Sequence, residues 1–315
     1  IIAGGTASYG AGGSDVYLVK TDASGNMEWQ KTFGGSSSEE AYSVQQTVDG
    51  GYIIAGSTRS YGAGSFDAYL VKTDASGNME WQKTLGGSDI DYAYCGQQTT
   101  DGGYIITGYT YSYGADSYDV YLVKTDASGN MEWQKTLGGS NIDYAHSVRQ
   151  TTDGGYIIAG STDSYGAGSF DVYLVKTNAF GSKEWEKTFG GSSIEEAYSV
   201  RQTTDGGYII AGLTYSYGGG LCDAYLVKTD ASGNMEWQKT LGGSSDDYAV
   251  FAQETTDGGY VIVGATITDA GGDDVYLVKL SPLTNTPVGS NVTVNLESGT
   301  VTFPTVSESG MTTMT

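Results

Sequence analysis

The only histidine of this 315-residue chain, His146, is a natural place to look for chemistry, because catalysis in a repetitive sequence needs residues that break the repeat. His146 stands where other copies of the same segment carry Tyr42 and Tyr198. A polysaccharide lyase or hydrolase would need an asymmetric site around His146, Cys95 or Arg149. No nucleophile partner or second metal ligand is identifiable for His146, so the sequence favours a structural histidine and predicts no catalytic residue and no metal site.

Oxygen-bearing side chains alternate along a recurring turn. Asp22, Ser24 and Asn26 occupy every second position, and the pattern returns in later copies as far as residues 230–234. Alternate oxygens begin some calcium loops, but the remaining spacing and the bidentate glutamate of an EF-hand are missing. The same residues are also typical of a tight hairpin. A hairpin is therefore the main prediction, with calcium as the weaker alternative and no other cofactor.

Two more features recur in the connections of the repeat. One is the tyrosine of a Ser-Tyr-Gly sequence, at Tyr9, Tyr61, Tyr113, Tyr165 and Tyr217. The other is an acid near the start of each unit, at Glu39, Asp91, Asp143, Glu195 and Asp247. Flat rings with a polar tip, next to carboxylates that accept sugar hydroxyls, would suit a face that binds carbohydrate or protein. The alternative is that the rings fasten loops and the acids cap turns.

These residues must be positioned by a repeat with a period of 52 residues. The period is marked by the tryptophans Trp29, Trp81, Trp133, Trp185 and Trp237. Each unit is predicted to form four short strands, for example residues 93–99, 104–110, 119–125 and 130–137. A period near 50 residues is in the range of β-propeller blades, and that geometry would place the tyrosine loops and the acids on one face.

The composition of the strands and turns supports this fold. Thr-Asp-Gly-Gly at residues 100–103 and Asp-Ala-Ser-Gly-Asn at residues 126–130 are rich in residues that accept positive φ, as tight hairpins require. Tyr-Ile-Ile and Tyr-Leu-Val strands are apolar on both faces, which suits a sheet covered on both sides by neighbouring blades. An aspartate that opens the third strand of each unit, such as Asp119, is predicted to bond backbone N–H groups of a loop.

The distribution of proline predicts two domains. Pro282, Pro287 and Pro304 are the only prolines, so residues 1–280 form a β-propeller domain without interrupted strands. Residues 281–315 are a tail with two alternating segments, 291–296 and 300–306. We interpret the tail as the start of a further β module or as a strand-donating segment.

Strand counting predicts about six blades, of which the terminal two are incomplete. Residues 1–33 supply only the last three strands of a unit, and residues 248–280 supply only the first three. Preceding sequence, a tail strand, or a strand from another copy could complete them, and the last alternative would be homo-assembly.

The string Asp101-Gly-Gly-Tyr-Ile-Ile-Thr-Gly, followed by Asp-Val-Tyr-Leu-Val-Lys and Trp-Gln-Lys-Thr, resembles the DGGY-type repeats of bacterial and archaeal surface β-propellers. The resemblance covers about residues 1–280 and implies an exported protein attached to the cell surface. That family is defined by its architecture and mostly lacks assigned chemistry.

Charge and composition restrict the partners. A formal net charge of -22 repels phosphate backbones, so nucleic acid and anionic lipid are not expected, whereas surface proteins and glycans are. No apolar stretch is long enough to span a membrane. Asn291 is the only glycosylation sequon. We therefore expect a non-enzymatic extracellular structural or adhesion protein, with a lectin-like glycan binder as the alternative and a polysaccharide-degrading enzyme as the third.

Overall fold

The computed structural model describes residues 1–115, 117–267, 273–281, 289–296 and 299–306, and the fold is all-β. The first sheet contains β1 (Ile2–Thr6), β2 (Asp15–Thr21) and β3 (Met27–Phe33). The second contains β4 (Glu39–Gln46), β5 (Tyr52–Thr58), β6 (Asp67–Thr73) and β7 (Met79–Leu85). The third contains β8 (Asp91–Gln98), β9 (Tyr104–Thr110), β10 (Asp119–Thr125) and β11 (Met131–Leu137).

The remaining sheets repeat this plan. The fourth contains β12 (Asp143–Gln150), β13 (Tyr156–Thr162), β14 (Asp171–Thr177) and β15 (Lys183–Phe189). The fifth contains β16 (Glu195–Gln202), β17 (Tyr208–Thr214), β18 (Asp223–Thr229) and β19 (Met235–Leu241). The sixth contains β20 (Asp247–Glu254), β21 (Tyr260–Ile267) and β22 (Asp273–Leu280), and the tail contributes β23 (Gly289–Leu296) and β24 (Gly299–Val306).

Each sheet is one blade of a β-propeller, which confirms the predicted fold class. Among the described strands, the second to fifth blades have four antiparallel strands each, and the first and sixth have three. In the tail, β23 and β24 pair with each other. The division at Leu280 and strand exchange between copies stay predictions.

Tight turns explain why the strands reverse where they do. In the third blade the Thr99 N–H donates to the Gly103 carbonyl at 2.9 Å, and Gly102 has a φ of +87°, which only glycine adopts without strain. The Asp101 carboxylate accepts a hydrogen bond from the Gly103 N–H at 3.0 Å. The Asp-Gly-Gly sequence therefore fixes the first hairpin of the second to sixth blades.

The hydrophobic core consists of the junctions between blades. Between the second and third blades, Ile53 and Leu70 of one sheet pack with Ile106, Tyr121 and Val123 of the next. On the opposite face of β10, Val120 and Leu122 belong to the junction with the fourth blade. Strands apolar on both faces are therefore needed, because each middle blade is covered twice.

A buried lysine stabilises each complete blade. Lys72 is 3% exposed, and its ammonium group lies 2.8 Å from Asp49 and 2.7 Å from Glu80. It also donates to the Thr73 carbonyl at 2.8 Å. The hydrogen bond from Lys72, followed by that from Thr47, lowers the pKa of Asp49 to about 2. The lysine thus ties the first hairpin of the blade to its third and fourth strands.

Candidate binding site on the propeller axis

The tyrosines of the Ser-Tyr-Gly loops fasten neighbouring blades. The Tyr61 hydroxyl donates to the Gly34 carbonyl at 2.9 Å, and Tyr113 donates to Gly86 at 2.9 Å. Tyr165 and Tyr217 make the same bond to the preceding blade, at 2.8 Å. Tyr9 lies in the first blade, is 55% exposed and stacks on a tyrosine of its own blade. Four of these hydroxyls therefore serve blade contacts.

The acids at the start of each unit are buried inside these loops. Glu39, Asp91, Asp143 and Glu195 are 0% exposed, and Asp247 is 6% exposed. Their carboxylates accept hydrogen bonds from the connections on either side. Asp91, for example, accepts from the Gly87 N–H at 2.8 Å and from the Ser112 hydroxyl at 2.7 Å. These contacts are the ones expected if the rings fasten loops and the acids cap turns. Glycan binding by the acids and loop tyrosines stays a prediction, and no contact among the described residues supports it.

The recurring Asp-Ser-Asn turn is a hairpin. The Asp22 carboxylate accepts hydrogen bonds from the Ser24 N–H at 2.8 Å and the Asn26 N–H at 2.9 Å. Its second oxygen accepts from the Asn26 side-chain amide at 3.0 Å. Both carboxylate oxygens thus already hold the turn, and calcium stays a prediction. Asn291 lies in β23, where the side chain is outside the described part of the chain.

The residues that break the repeat meet on the first strands of the blades. Strands β4, β8, β12 and β16 contact one another in sequence, so they surround the propeller axis. Each has a β-bulge at the residue between its third and fifth positions. The bulged residues are Tyr42, Tyr94, His146 and Tyr198. A bulge re-aims a side chain, and here it groups these rings in a row around the axis.

The row of rings is continuous. The ring centroids of Tyr42 and Tyr94 are 5.0 Å apart, those of Tyr94 and His146 are 5.0 Å apart, and those of His146 and Tyr198 are 5.5 Å apart. His146 is therefore a member of an aromatic row. Burial lowers the pKa of His146 to about 4, so its imidazole is neutral at pH 7.

Rings of the third blade, with Tyr144 of the fourth, enlarge this row into a patch. Tyr92 and Tyr109 stack with centroids 5.0 Å apart, and Tyr109 lies 5.6 Å from Tyr94. Tyr118 and Tyr144 both approach Tyr109, at 5.1 and 5.3 Å. We call these rings, together with Tyr42 and His146, the axial aromatic patch. Other blades carry serine at the position of Tyr109, namely Ser57 and Ser161, so the patch is a local departure from the repeat.

The patch is polar at its tips and uncharged. Burial raises the pKa of Tyr94 and of Tyr109, so both phenols keep their protons over the whole physiological range. Tyr42 is 40% exposed and donates to Glu40 at 3.1 Å. The surface thus combines exposed ring area with hydroxyl donors.

Below the rings, the same strands enclose a cavity of about 340 Å³. It is lined by Tyr42, Ser43, Val44, Gln45, Cys95, Gly96, Arg149 and Arg201. An Arg149 guanidinium nitrogen donates to the Val148 carbonyl at 2.8 Å and lies 3.3 Å from the Cys95 sulfur. The structure therefore brings together Cys95 and Arg149, two of the three residues around which an asymmetric site was expected, and places His146 on the same strand as Arg149.

Sequence reasoning missed most of this site. Of its residues, only His146, Cys95 and Arg149 were singled out, and Arg201 and the tyrosines of the third blade were not. The signal was present as departures from the repeat, because Gln45 and Gln97 occupy the positions of the two arginines in other units. Cys95 and Cys222 are both buried free thiols.

The similarity of this chain to known proteins is one of structure. No protein-family model matches the sequence, and none of the curated proteins matches it. Among solved structures, the chain resembles a protein of unknown function from Bacteroides caccae, with 11% identity and a TM-score of 0.47 over 81% of this chain and 80% of that chain. The S511A mutant of puromycin hydrolase complexed with PGG is 15% identical, with a TM-score of 0.50 over 87% of this chain and 42% of that chain.

A third similar structure is the endo-arabinase from Bacteroides thetaiotaomicron, with 12% identity and a TM-score of 0.42 over 76% of this chain and 92% of that chain. These likenesses concern the fold alone, because propellers host many unrelated functions. The protein is a β-propeller with repeated blades, and its membership of the DGGY-type surface family stays a resemblance of sequence. None of the described residues forms a helix long and apolar enough to cross a membrane.

Proposed function

We propose that this protein is a non-enzymatic, extracellular glycan-binding propeller that acts in adhesion or as a docking disk at a cell surface. The observation that carries the proposal is the axial aromatic patch. Aromatic faces provide flat apolar area, and tyrosine hydroxyls provide directional polar contacts, which together suit the faces and hydroxyls of sugar rings. The patch does not include the loop tyrosines, which the sequence offered as a binding face beside the structural alternative.

The rest of the molecule supports a scaffold role for the blades. The loop tyrosines, the buried acids and the buried lysines all bond groups of the protein itself. The axial strands are the place where side chains depart from that pattern and remain partly exposed. We therefore assign recognition to the axis and rigidity to the repeat.

The test measures retention on immobilised polysaccharides with two variants of similar surface chemistry. Tyr94→Val with Tyr109→Ser replaces two patch rings by the residues of other blades, Val250 and Ser57. We expect the double variant to weaken binding about tenfold, because each ring contact contributes about 0.5–1.5 kcal/mol and about 1.4 kcal/mol is a factor of ten.

A matched control removes an aromatic ring elsewhere. Phe180 is 75% exposed on a hairpin turn, where other blades carry serine, so Phe180→Ser should leave retention unchanged. Equal retention by the wild type and the double patch variant would overturn the proposal. Release of shortened oligosaccharides from the bound polymer would instead identify an enzyme, and the His146→Ala variant would show whether His146 takes part.

A further inference from the structure

The two axial arginines have no acidic partner in the described structure, although the chain is strongly acidic. The sequence contains 37 acidic residues and a net charge of -22. The ion pairs of the described residues all involve lysine, and none involves Arg149 or Arg201. In a chain with so many acids, two neighbouring arginines without a carboxylate partner are unusual, and a bound anion would balance their charge.

The two guanidinium groups are also held in place. Arg149 donates to the Val148 carbonyl at 2.8 Å, and Arg201 lies over the Phe251 ring at 5.2 Å. The Nε atoms of both arginines are buried and form no hydrogen bond with the described residues. Donors are thus oriented and unsatisfied beside a cavity of about 340 Å³. Leaving buried donors unsatisfied costs about 1–3 kcal/mol each, which a ligand that accepts hydrogen bonds would recover.

We propose that Arg149 and Arg201 form an anion site inside the axial cavity, and that it takes the carboxylate or sulfate group of an acidic sugar. Guanidinium groups bind such planar or tetrahedral oxyanions through paired hydrogen bonds. Ser43 and Gln45 line the same cavity and supply neutral polar groups for sugar hydroxyls. The inference rests on the proposed function, because it names the chemistry of the glycan that the aromatic patch would hold.

The like charges of the two arginines support the same site. Burial and the nearby charge of Arg149 lower the pKa of Arg201 to about 10. The surroundings of Arg201 thus disfavour its charged form, and a bound anion would offset that unfavourable free energy. A pair of glutamines at these positions would have avoided the penalty, as Gln45 and Gln97 do in the second and third blades.

The experiment uses the repeat itself to design variants that keep the fold. Arg149→Gln with Arg201→Gln installs the residue of the equivalent positions. Lys135→Gln with Lys239→Gln is the control for net charge, because it removes the same two positive charges from fourth strands that lie outside the cavity lining. Isothermal titration calorimetry at constant ionic strength would measure dissociation constants. The probes are sodium sulfate, sodium glucuronate, a glucuronate-containing oligosaccharide and a neutral glucose oligosaccharide.

We expect the wild type and the lysine control to bind the acidic oligosaccharide at least tenfold more tightly than the neutral one, and the Arg149→Gln, Arg201→Gln variant to lose that preference. Binding of sulfate and glucuronate alone, abolished in the double variant, would assign the site to the anionic group whether it is free or attached to a sugar. An unchanged preference in the double variant would overturn the inference while leaving the proposed function intact. About tenfold weaker glycan binding by the Tyr94→Val, Tyr109→Ser variant, with sulfate binding retained, would support both assignments separately.

Discussion

Removing the hydroxyls of the loop tyrosines tests whether these rings fasten the blades or form a ligand surface. The triple variant Tyr61→Phe, Tyr113→Phe, Tyr217→Phe keeps every ring and deletes three hydrogen bonds of 2.8–2.9 Å to carbonyls of the preceding blade. A neutral hydrogen bond contributes about 0.5–1.5 kcal/mol net. The three bonds lie at different blade junctions, so their losses should add to about 3 kcal/mol.

The assay is urea unfolding followed by tryptophan fluorescence, with the wild type and a Tyr9→Phe control in parallel. The hydroxyl of Tyr9 forms no hydrogen bond with the described residues, and its ring is 55% exposed, so the control should change the unfolding free energy by less than about 0.5 kcal/mol. We expect the triple variant to lose stability and to retain glycans as the wild type does. Unchanged stability together with lost glycan retention would refute the structural role and restore the loop tyrosines as the binding surface.

Three further predictions concern the blades. Lys72→Met should reduce the loss of unfolding free energy that acid causes. The folded pKa of Asp49, about 2, lies below its unfolded value, so the stabilisation by this carboxylate is present above pH 4 and is lost as the pH falls towards 2. Because Asp49 is 54% exposed, that contribution is about 1 kcal/mol, and unfolding curves between pH 5 and pH 2 would measure it. Gly129→Ala should lower the melting temperature more than Gly25→Ala does. Both glycines have positive φ, but only the new Cβ at Gly129 would lie 2.8 Å from Trp81. Equal decreases in melting temperature would contradict the packing of Gly129 against Trp81. The wild type should lose stability as the pH falls from 6.5 to 4, and His146→Tyr should remove that loss. Burial holds the folded pKa of His146 at about 4, below its unfolded value, so only the unfolded chain gains a proton in that window. An identical pH profile in the variant would show that His146 does not cause the loss.

The fold was predictable because its determinants are local and repeated. The Thr-Asp-Gly-Gly and Asp-Ala-Ser-Gly-Asn sequences, or close variants of them, fix the first and third turns of the second to fifth blades. Strands such as Tyr104–Thr110 are apolar on both faces. These signals recur every 52 residues, so the predicted strand bounds agree with the structure to within about two residues.

The axial site was less predictable because a single irregularity decides which way its side chains point. The bulge between Ala93 and Cys95 adds one residue to β8, and a shift of one residue changes the face that a side chain occupies. The sequence shows that Tyr109 and Arg201 differ from their counterparts, but not that they share an axis. The buried role of Lys72 was hidden for a similar reason, because its acidic partners Asp49 and Glu80 lie in the first hairpin and in the fourth strand of the blade.

The most direct test of the account is hydroxyl-radical footprinting of the protein with a bound acidic oligosaccharide, read out by mass spectrometry. We predict protection of the peptides that contain Tyr42, Tyr94 and His146, with unchanged labelling of Phe180 and Tyr9, which are exposed elsewhere. Protection confined to the loops around Tyr113 and Tyr165, with the axial rings labelled as in the free protein, would contradict the assignment of binding to the propeller axis.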